Sequence, residues 1–470
     1  MLKGYEKYKE SGIPWEICEP TTWDCVRGKA LFENPKYINK NNEYKNVLSL
    51  TLKGVIRNNI ENPNGLVPRS YDTYQLFEKD DLVFKLIDLE NISTSRVGIV
   101  GEQGIMSPAY IRLVLRKKEK QNIKYYYYQY FSLYQRQIFN SLGAGVRQTL
   151  SARELLEQKI MVPPKPEQDK IVQFLEWKTS EINRFIHQKK KQIKLLEELK
   201  LTRINNLVTK GLTHNVKYKQ SNVEWLGEIP EHWDVDYIKQ HFKVKKRIAG
   251  KEGYDVLSIT QQGIKKKDIS SNEGQMAQSY ANYQFVYSGD FAMNHRDLLT
   301  GYIDISKQFG VTSPDYRVFN LSDSEHCFAP FYLRVFQIGY KRKIFYKFGK
   351  GAANQGRWRL PITAFYDYAI QVPPIDEQRE IARQCDEVEK QINEMISGIN
   401  KEITLVEELR TKLISDVVTG QVDVSDVKIP IYEVETDIID SEDDTDEENL
   451  DESMEEKEGA DGKEYCVSWK

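Results

Sequence analysis

At 470 residues, with 40% hydrophobic and 29% charged side chains, the chain has the composition of a soluble globular protein with room for about three ordinary domains. No run of 18 apolar residues occurs, which excludes a transmembrane helix, and the polar opening MLKGYEKYKE gives no reason to expect a secretory signal. Five scattered cysteines suit free thiols in a reducing cytoplasm, and the net charge of −3 hides an acidic end (17 Asp/Glu against 3 Lys/Arg from position 431, or −14) behind a basic body of +11 that favours a polyanionic partner.

In chain order, residues 1–165 come first. Short β-branched and aromatic runs between Gly and Pro, such as VLSLTLKGVI at Val47 and KYYYYQYF at Lys124, predict a mixed α/β domain. Pro163 and Pro164 then block an earlier helical start. Residues 166–210 read as a long helix, with Ile171, Leu175, Ile182, Ile186 and Ile193 along one stripe. Residues 211–375 form a second mixed α/β domain, with runs such as IFYKFG at Ile344. A second long helix, 376–420, carries Ile381, Cys385, Val388, Ile392, Met395 and Ile399 at steps of 4, 3, 4, 3 and 4, a heptad seam. The acidic stretch 421–470 is expected to be a disordered tail.

The second half repeats the first at an offset close to 210 residues. SGIPWEICEPTTWD at Ser11 answers to SNVEWLGEIPEHWD at Ser221, and VLSLT at Val47 to VLSIT at Val256. GIMSPAY at Gly104 answers to GVTSPDY at Gly310, VPPKPEQ at Val162 to VPPIDEQ at Val372, and Val208-Thr209 to Val418-Thr419. Matches crowd at the domain openings, the VPP junctions and the helices, while the middles of the domains diverge. A helix of about 40 residues spans roughly 60 Å, and its seam needs a partner. Antiparallel pairing of the two helices as a coiled coil would relate the repeats by a pseudo-twofold. Two readers on such a rod would address successive turns of B-DNA, which repeats about every 34 Å.

These features together resemble the specificity subunit of type I restriction–modification enzymes: the W…IP…W opening, the SP-x-Y segment, and V-P-P-x-x-E-Q leading into a long helix that ends near V-T-x-G, all given twice over residues 11–430. The resemblance implies two target-recognition domains, each reading half of a split asymmetric site in double-stranded DNA. It implies helices that dock two methyltransferase subunits, with restriction subunits carrying motor and nuclease activity. S-adenosylmethionine, ATP and Mg belong to those partners, and this chain is expected to bind no cofactor and to catalyse nothing. The acidic tail departs from the family pattern.

The residues agree with a non-catalytic reading. Both Pro-Pro pairs follow Val, so no Asp/Asn-Pro-Pro-aromatic loop for a flipped base exists, and no Gly-Lys is followed by Ser or Thr as a phosphate loop requires. Six histidines form no metal-binding spacing, and His326–Cys327 reads as packing. Two other readings stay open, a protein-binding scaffold and a self-contained DNA-cleaving enzyme.

For DNA contact the candidates are loop and hairpin residues. Arg147 with Gln148, and Arg357 with Asn354 and Gln355, lie in Gly-rich loops before each VPP, where Arg suits phosphate or a guanine edge. Lys53 and Arg57 answer to Lys265, Lys266 and Lys267 after the two VLS strands, and Arg69 and Arg296 are further cations. Trp15, Trp23, Trp225 and Trp233 are expected to anchor each domain to its core, and the Tyr125–Tyr128 run to pack rather than stack on bases.

Overall fold

A computed structural model describes residues 3–52, 54–58, 70–87, 89, 96–143, 148–212, 216–269, 277–351 and 358–433. The chain divides into two compact units, one of residues 1–189 with 401–470 and one of residues 190–400. Neither unit coincides with a sequence repeat. Each takes one α/β domain and one segment of both long helices.

In the first unit a four-stranded antiparallel sheet runs in the order Phe32–Glu33, Ile111–Leu115, Leu82–Phe84, Val97–Ile99. The helix Ile123–Gln135 covers it, burying Tyr125, Tyr126 and Tyr130. Tyr126 meets Phe32 edge-on at 5.3 Å and Tyr130 meets Phe84 at 5.0 Å. The Tyr-rich run packs as expected, and it does so as a helix. Its buried positions fall at helix spacing, which prevails over the β preference of tyrosine. The hairpin Leu48–Thr51 with Gly54–Arg57 and the pair Gln75–Phe77 with Gly104–Met106 complete the domain.

The second unit has the same sheet order, Phe242–Lys245, Arg317–Leu321, Phe291–Met293, Ile303–Ile305, under the helix Ala329–Lys341. Its hairpin is Leu257–Thr260 with Gly263–Lys266. IFYKFG begins as a helical turn, Ile344–Lys347, rather than a strand, with Phe345 buried against Tyr340 and Tyr368.

The long helices run Lys165–Lys210 and Ile375–Val418. In the first unit Asn183 accepts from Arg410 at 3.0 Å and Lys189 pairs with Glu402 at 2.6 Å, so the two helices run in opposite directions there. In the second unit Lys200 donates to Asn393 at 3.1 Å. Ile381, Cys385, Ile392 and Ile399 are buried as the seam requires, but Met395 is 56% exposed and Ile396 is the half-buried residue of that turn. Ile396 lies four residues after Ile392 and three before Ile399, so the seam stays at heptad spacing and passes through it instead of Met395.

Residues 421–433, included in the expected tail, lie along the first unit. Val424 is buried, Asp423 bridges to Lys3, Lys170 Nζ donates to Val427 O at 2.6 Å, and Ser180 Oγ to Glu433 O at 3.0 Å. The stretch QVDVSDVKIP carries spaced apolar residues, and the dense acidic run starts after it. The remainder of the tail, from 434, is outside the described residues.

Candidate nucleic-acid interface

The repeated motifs turn out to frame each domain. Trp23 is fully buried and its Nε1 donates to Glu167 Oε1 at 2.9 Å; Trp233, equally buried, donates to Glu377 Oε2 at 3.0 Å. A buried indole N–H needs an acceptor, and the glutamate of VPPxxEQ supplies it. The adjacent glutamine is also buried. Gln168 donates to Pro163 O at 2.9 Å and accepts from Asn122 N at 2.8 Å, while Gln378 donates to Pro373 O and accepts from Phe328 N, both at 2.7 Å. The junction thus fastens the start of a long helix to the start of the domain helix.

The SP-x-Y segment has a structural role as well. Gln75 Nε2 donates to Ser107 O at 3.4 Å and Tyr110 O at 2.5 Å, and Gln284 Nε2 to Ser313 O at 3.0 Å and Tyr316 O at 2.7 Å. Beside it sits a buried carboxylate whose partner differs between units. Asp81 takes Arg112 Nε at 2.6 Å, with both side chains almost fully buried. The equivalent Asp290 takes Arg247 at 3.0 Å, from the segment that follows the strand Phe242–Lys245, with Arg247 28% exposed. Burial holds the Asp81 carboxyl above the usual range, against the hydrogen bonds from Glu78 N and Arg112.

On this frame the candidate residues can be placed. Lys53, Arg69, Arg147, Asn354, Gln355 and Arg357 lie outside the described residues. Gln148 is half-buried with φ of 42°, in the left-handed region, and its carbonyl accepts from Leu89 N at 3.4 Å. Arg57 and Lys266 occupy the same register of the two hairpins. Each is exposed and braced: Arg57 by Glu102 at 2.9 Å and Asn46 at 2.7 Å, Lys266 by Asp255 at 2.7 Å. Lys265 bonds to Gln262, and Lys267 N donates to Val256 O at 2.8 Å. Arg296 pairs with Asp315 at 2.6 Å, which also accounts for that carboxylate.

The second unit adds residues that sequence reasoning did not single out. A cleft of ≈ 760 Å³ is lined by Lys245, Lys246, Gln284, His295, Arg317, Lys350 and Arg359 among others. Lys350 and Arg359 exchange two backbone hydrogen bonds of 2.8 and 3.1 Å, clasping the base of the loop 351–358 that holds Asn354, Gln355 and Arg357 in sequence. Leu360 N donates to His295 O at 2.9 Å, so the segment carrying Arg296 meets this loop's exit. Among the described residues no carboxylate pairs with the five cations Lys245, Lys246, Arg317, Lys350 and Arg359. Arg317 is buried, donates to Leu360 O at 2.9 Å and lies over the Phe365 ring; burial lowers it to about 10. Burial, then Arg317, Arg296 and Arg359, push His295 down to about 3, so its ring is neutral. Unmatched positive charge with N–H donors is a surface for phosphate oxygens and base-edge acceptors. The sequence signal was the run KVKKR at Lys243.

Comparison with known proteins agrees with this frame. The type I restriction modification DNA specificity domain matches residues 20–195 and again 230–405, the same 210-residue offset. The chain is 25% identical over 348 residues to the type I restriction enzyme MjaVIII specificity subunit of Methanocaldococcus jannaschii, covering 70% of this chain and 76% of that one. It is 24% identical over 331 residues to the putative MjaX specificity subunit of the same organism, covering 66% and 71%. A chain from a solved structure concerning complex assembly and conformational transition of the type I R-M system shares the fold, with a TM-score of 0.58 at 11% identity over 86% of this chain and 99% of that one. The fold and motifs define a duplicated specificity protein. The chain belongs to the specificity subunits of type I restriction–modification systems, the non-catalytic family whose domain it carries twice. No helix among the described residues is long and apolar enough to cross a membrane.

Proposed function

We propose that this chain reads a bipartite, asymmetric site in double-stranded DNA and directs adenine methylation and restriction by partner subunits. Residues 1–165 and 211–375 act as the two target-recognition domains, each on one half-site. The long helices, paired as an antiparallel coiled coil about a pseudo-twofold, set the spacing. Apolar side chains that the helices leave exposed, Leu405 and Leu409 in the first unit and Leu195, Leu199 and Met395 in the second, suit docking of two methyltransferase subunits. S-adenosylmethionine, ATP and Mg serve those subunits and the restriction subunits, in the cytoplasm.

The observation that carries the reading is the cleft whose cations have no carboxylate partner among the described residues, where Lys350 and Arg359 flank the segment 351–358. A protein-only scaffold has no use for such uncompensated charge beside a diverged loop. The test is a methylation map, by single-molecule sequencing, of a host lacking its own adenine methylation that expresses the chain with its neighbouring methyltransferase. A split motif, methylated on both strands and lost without this chain, is the expected result. A stable, active methyltransferase complex that leaves no new motif would overturn it.

A further inference from the structure

A group of metal-ligand side chains gathers in the second unit, away from the described cleft lining. His241 ends the helical turn Ile238–His241 and is 7% exposed; Cys327 is 2% exposed. One donor atom each from His241, Asp323 and Cys327 lies within 4.8 Å of the others. Residue 241 is 82 positions from residue 323, so no sequence spacing announces the group.

Both ring nitrogens of His241 face carboxylates. Nε2 lies 2.9 Å from Asp236 Oδ2 and Nδ1 lies 3.1 Å from Asp323 Oδ2. A neutral imidazole carries one N–H and one lone pair. With its hydrogen directed to Asp236, the Nδ1 lone pair would face a carboxylate lone pair. A positive charge belongs between them, either a second proton or a metal ion.

The thiol distinguishes these. A proton shared by Nδ1 and Asp323 needs no sulfur, yet the buried Cys327 Sγ sits at the same corner. Thiolate, imidazole and carboxylate together are a ligand set for zinc. Asp236 then takes the place of the outer carboxylate that holds the remote N–H of a metal-bound histidine. His326 adjoins Cys327, but its exposed ring meets only Asp323, Nδ1 lying 3.0 Å from Oδ1, and it stands outside the three-donor group.

The first unit supplies a comparison. Aligning the two sheets puts Val26, Leu31, Lys117, Lys120 and Gln121 where the second unit has Asp236, His241, Asp323, His326 and Cys327. None of the five is a zinc ligand of this kind. The donors occur together in one domain and are absent together from the other.

We propose that His241, Asp323 and Cys327 bind one zinc ion, its fourth position left to water, that pins the turn 322–327 between the strand Arg317–Leu321 and the helix Ala329–Lys341. Binding releases the Cys327 thiol proton, and any second proton on His241, to solvent. Gln378 Nε2 donates to His326 O at 2.7 Å, so the pinned turn also abuts the start of the second long helix.

The test uses the full chain, purified without chelator. Elemental analysis is expected to give one zinc per chain. Replacement by cobalt is expected to give a thiolate-to-cobalt charge-transfer band that Cys327→Ser abolishes and Cys25→Ser, in the other unit, leaves intact. Should Cys327→Ser fail to fold, Asp323→Asn provides a milder variant, expected to lower zinc affinity at least tenfold. Folded wild-type protein with no zinc above blank and no cobalt band would overturn the site.

Discussion

Salt dependence offers a quantitative test of the cleft in the second unit. Lys350 and Arg359 are exposed and free of carboxylate partners among the described residues, and both rim the loop they clasp. If each neutralises one phosphate, the double substitution Lys350→Ala/Arg359→Ala removes two counterion-release terms of about 0.9 each from the slope of log K against log salt. The slope becomes shallower by about 1.8, so the affinity gap between wild type and variant should shrink roughly tenfold between about 50 and 200 mM salt. Fluorescence anisotropy on a labelled duplex carrying the mapped motif, with the methyltransferase bound, measures both slopes. Parallel slopes with unchanged affinity would show that these cations do not meet phosphate. Parallel slopes with a uniform loss would point to a distorted loop instead, and retention of both backbone bonds makes that outcome unexpected.

Two further predictions concern stability. Asp81→Asn leaves Arg112 buried without its counter-charge and should cost about 3–5 kcal/mol, whereas Asp290→Asn leaves an Arg247 that reaches water and should cost distinctly less; equal shifts in the denaturant midpoints would contradict this ranking. His295 is held down to about 3 by burial and by Arg317, Arg296 and Arg359, so folding favours its neutral form. Its contribution is complete above the unfolded value of about 6.5 and fades as pH falls toward 3, a loss on the order of 1–2 kcal/mol by about pH 5. His295→Asn should flatten that part of the pH–stability curve for the second unit; an unaltered curve would show that the ring does not titrate in this way.

Much of the architecture was legible because it was written twice. The 210-residue offset exposed the repeat, proline pairs marked where both long helices begin, and the heptad spacing placed Ile381, Cys385, Ile392 and Ile399 on a buried face. Aromatic content left helix and strand unseparated at Tyr125–Tyr128 and at Ile344, because tyrosine and phenylalanine satisfy a helix that lies on a sheet as readily as they satisfy a strand. Met395 fell off the seam because its neighbour Ile396, four residues after Ile392 and three before Ile399, fills that turn. The site was harder to read. Motifs shared by both repeats, such as Glu167/Glu377 and Gln75/Gln284, hold the frame, so repetition pointed to structure rather than to reading. The cleft instead draws Lys245 from one strand and Lys350 and Arg359 from a loop base more than 100 residues later. Only the folded sheet brings them together.

The buried carboxylate shared by the two domains bears on how such proteins can be reassembled by recombination. Its arginine comes from position 112 in one domain and 247 in the other; matching backbone pairing makes Tyr37 the equivalent of Arg247 and Val318 the equivalent of Arg112. A crossover between these strands in one direction joins Tyr37 to Val318 and leaves the aspartate alone in the core. In the other direction it delivers two arginines to one acid. The first hybrid carries an unmatched buried carboxylate, whereas in the second the extra Arg247 still reaches water, so a crossover between these positions should destabilise the first combination most, while exchange of whole domains keeps each aspartate with its own arginine.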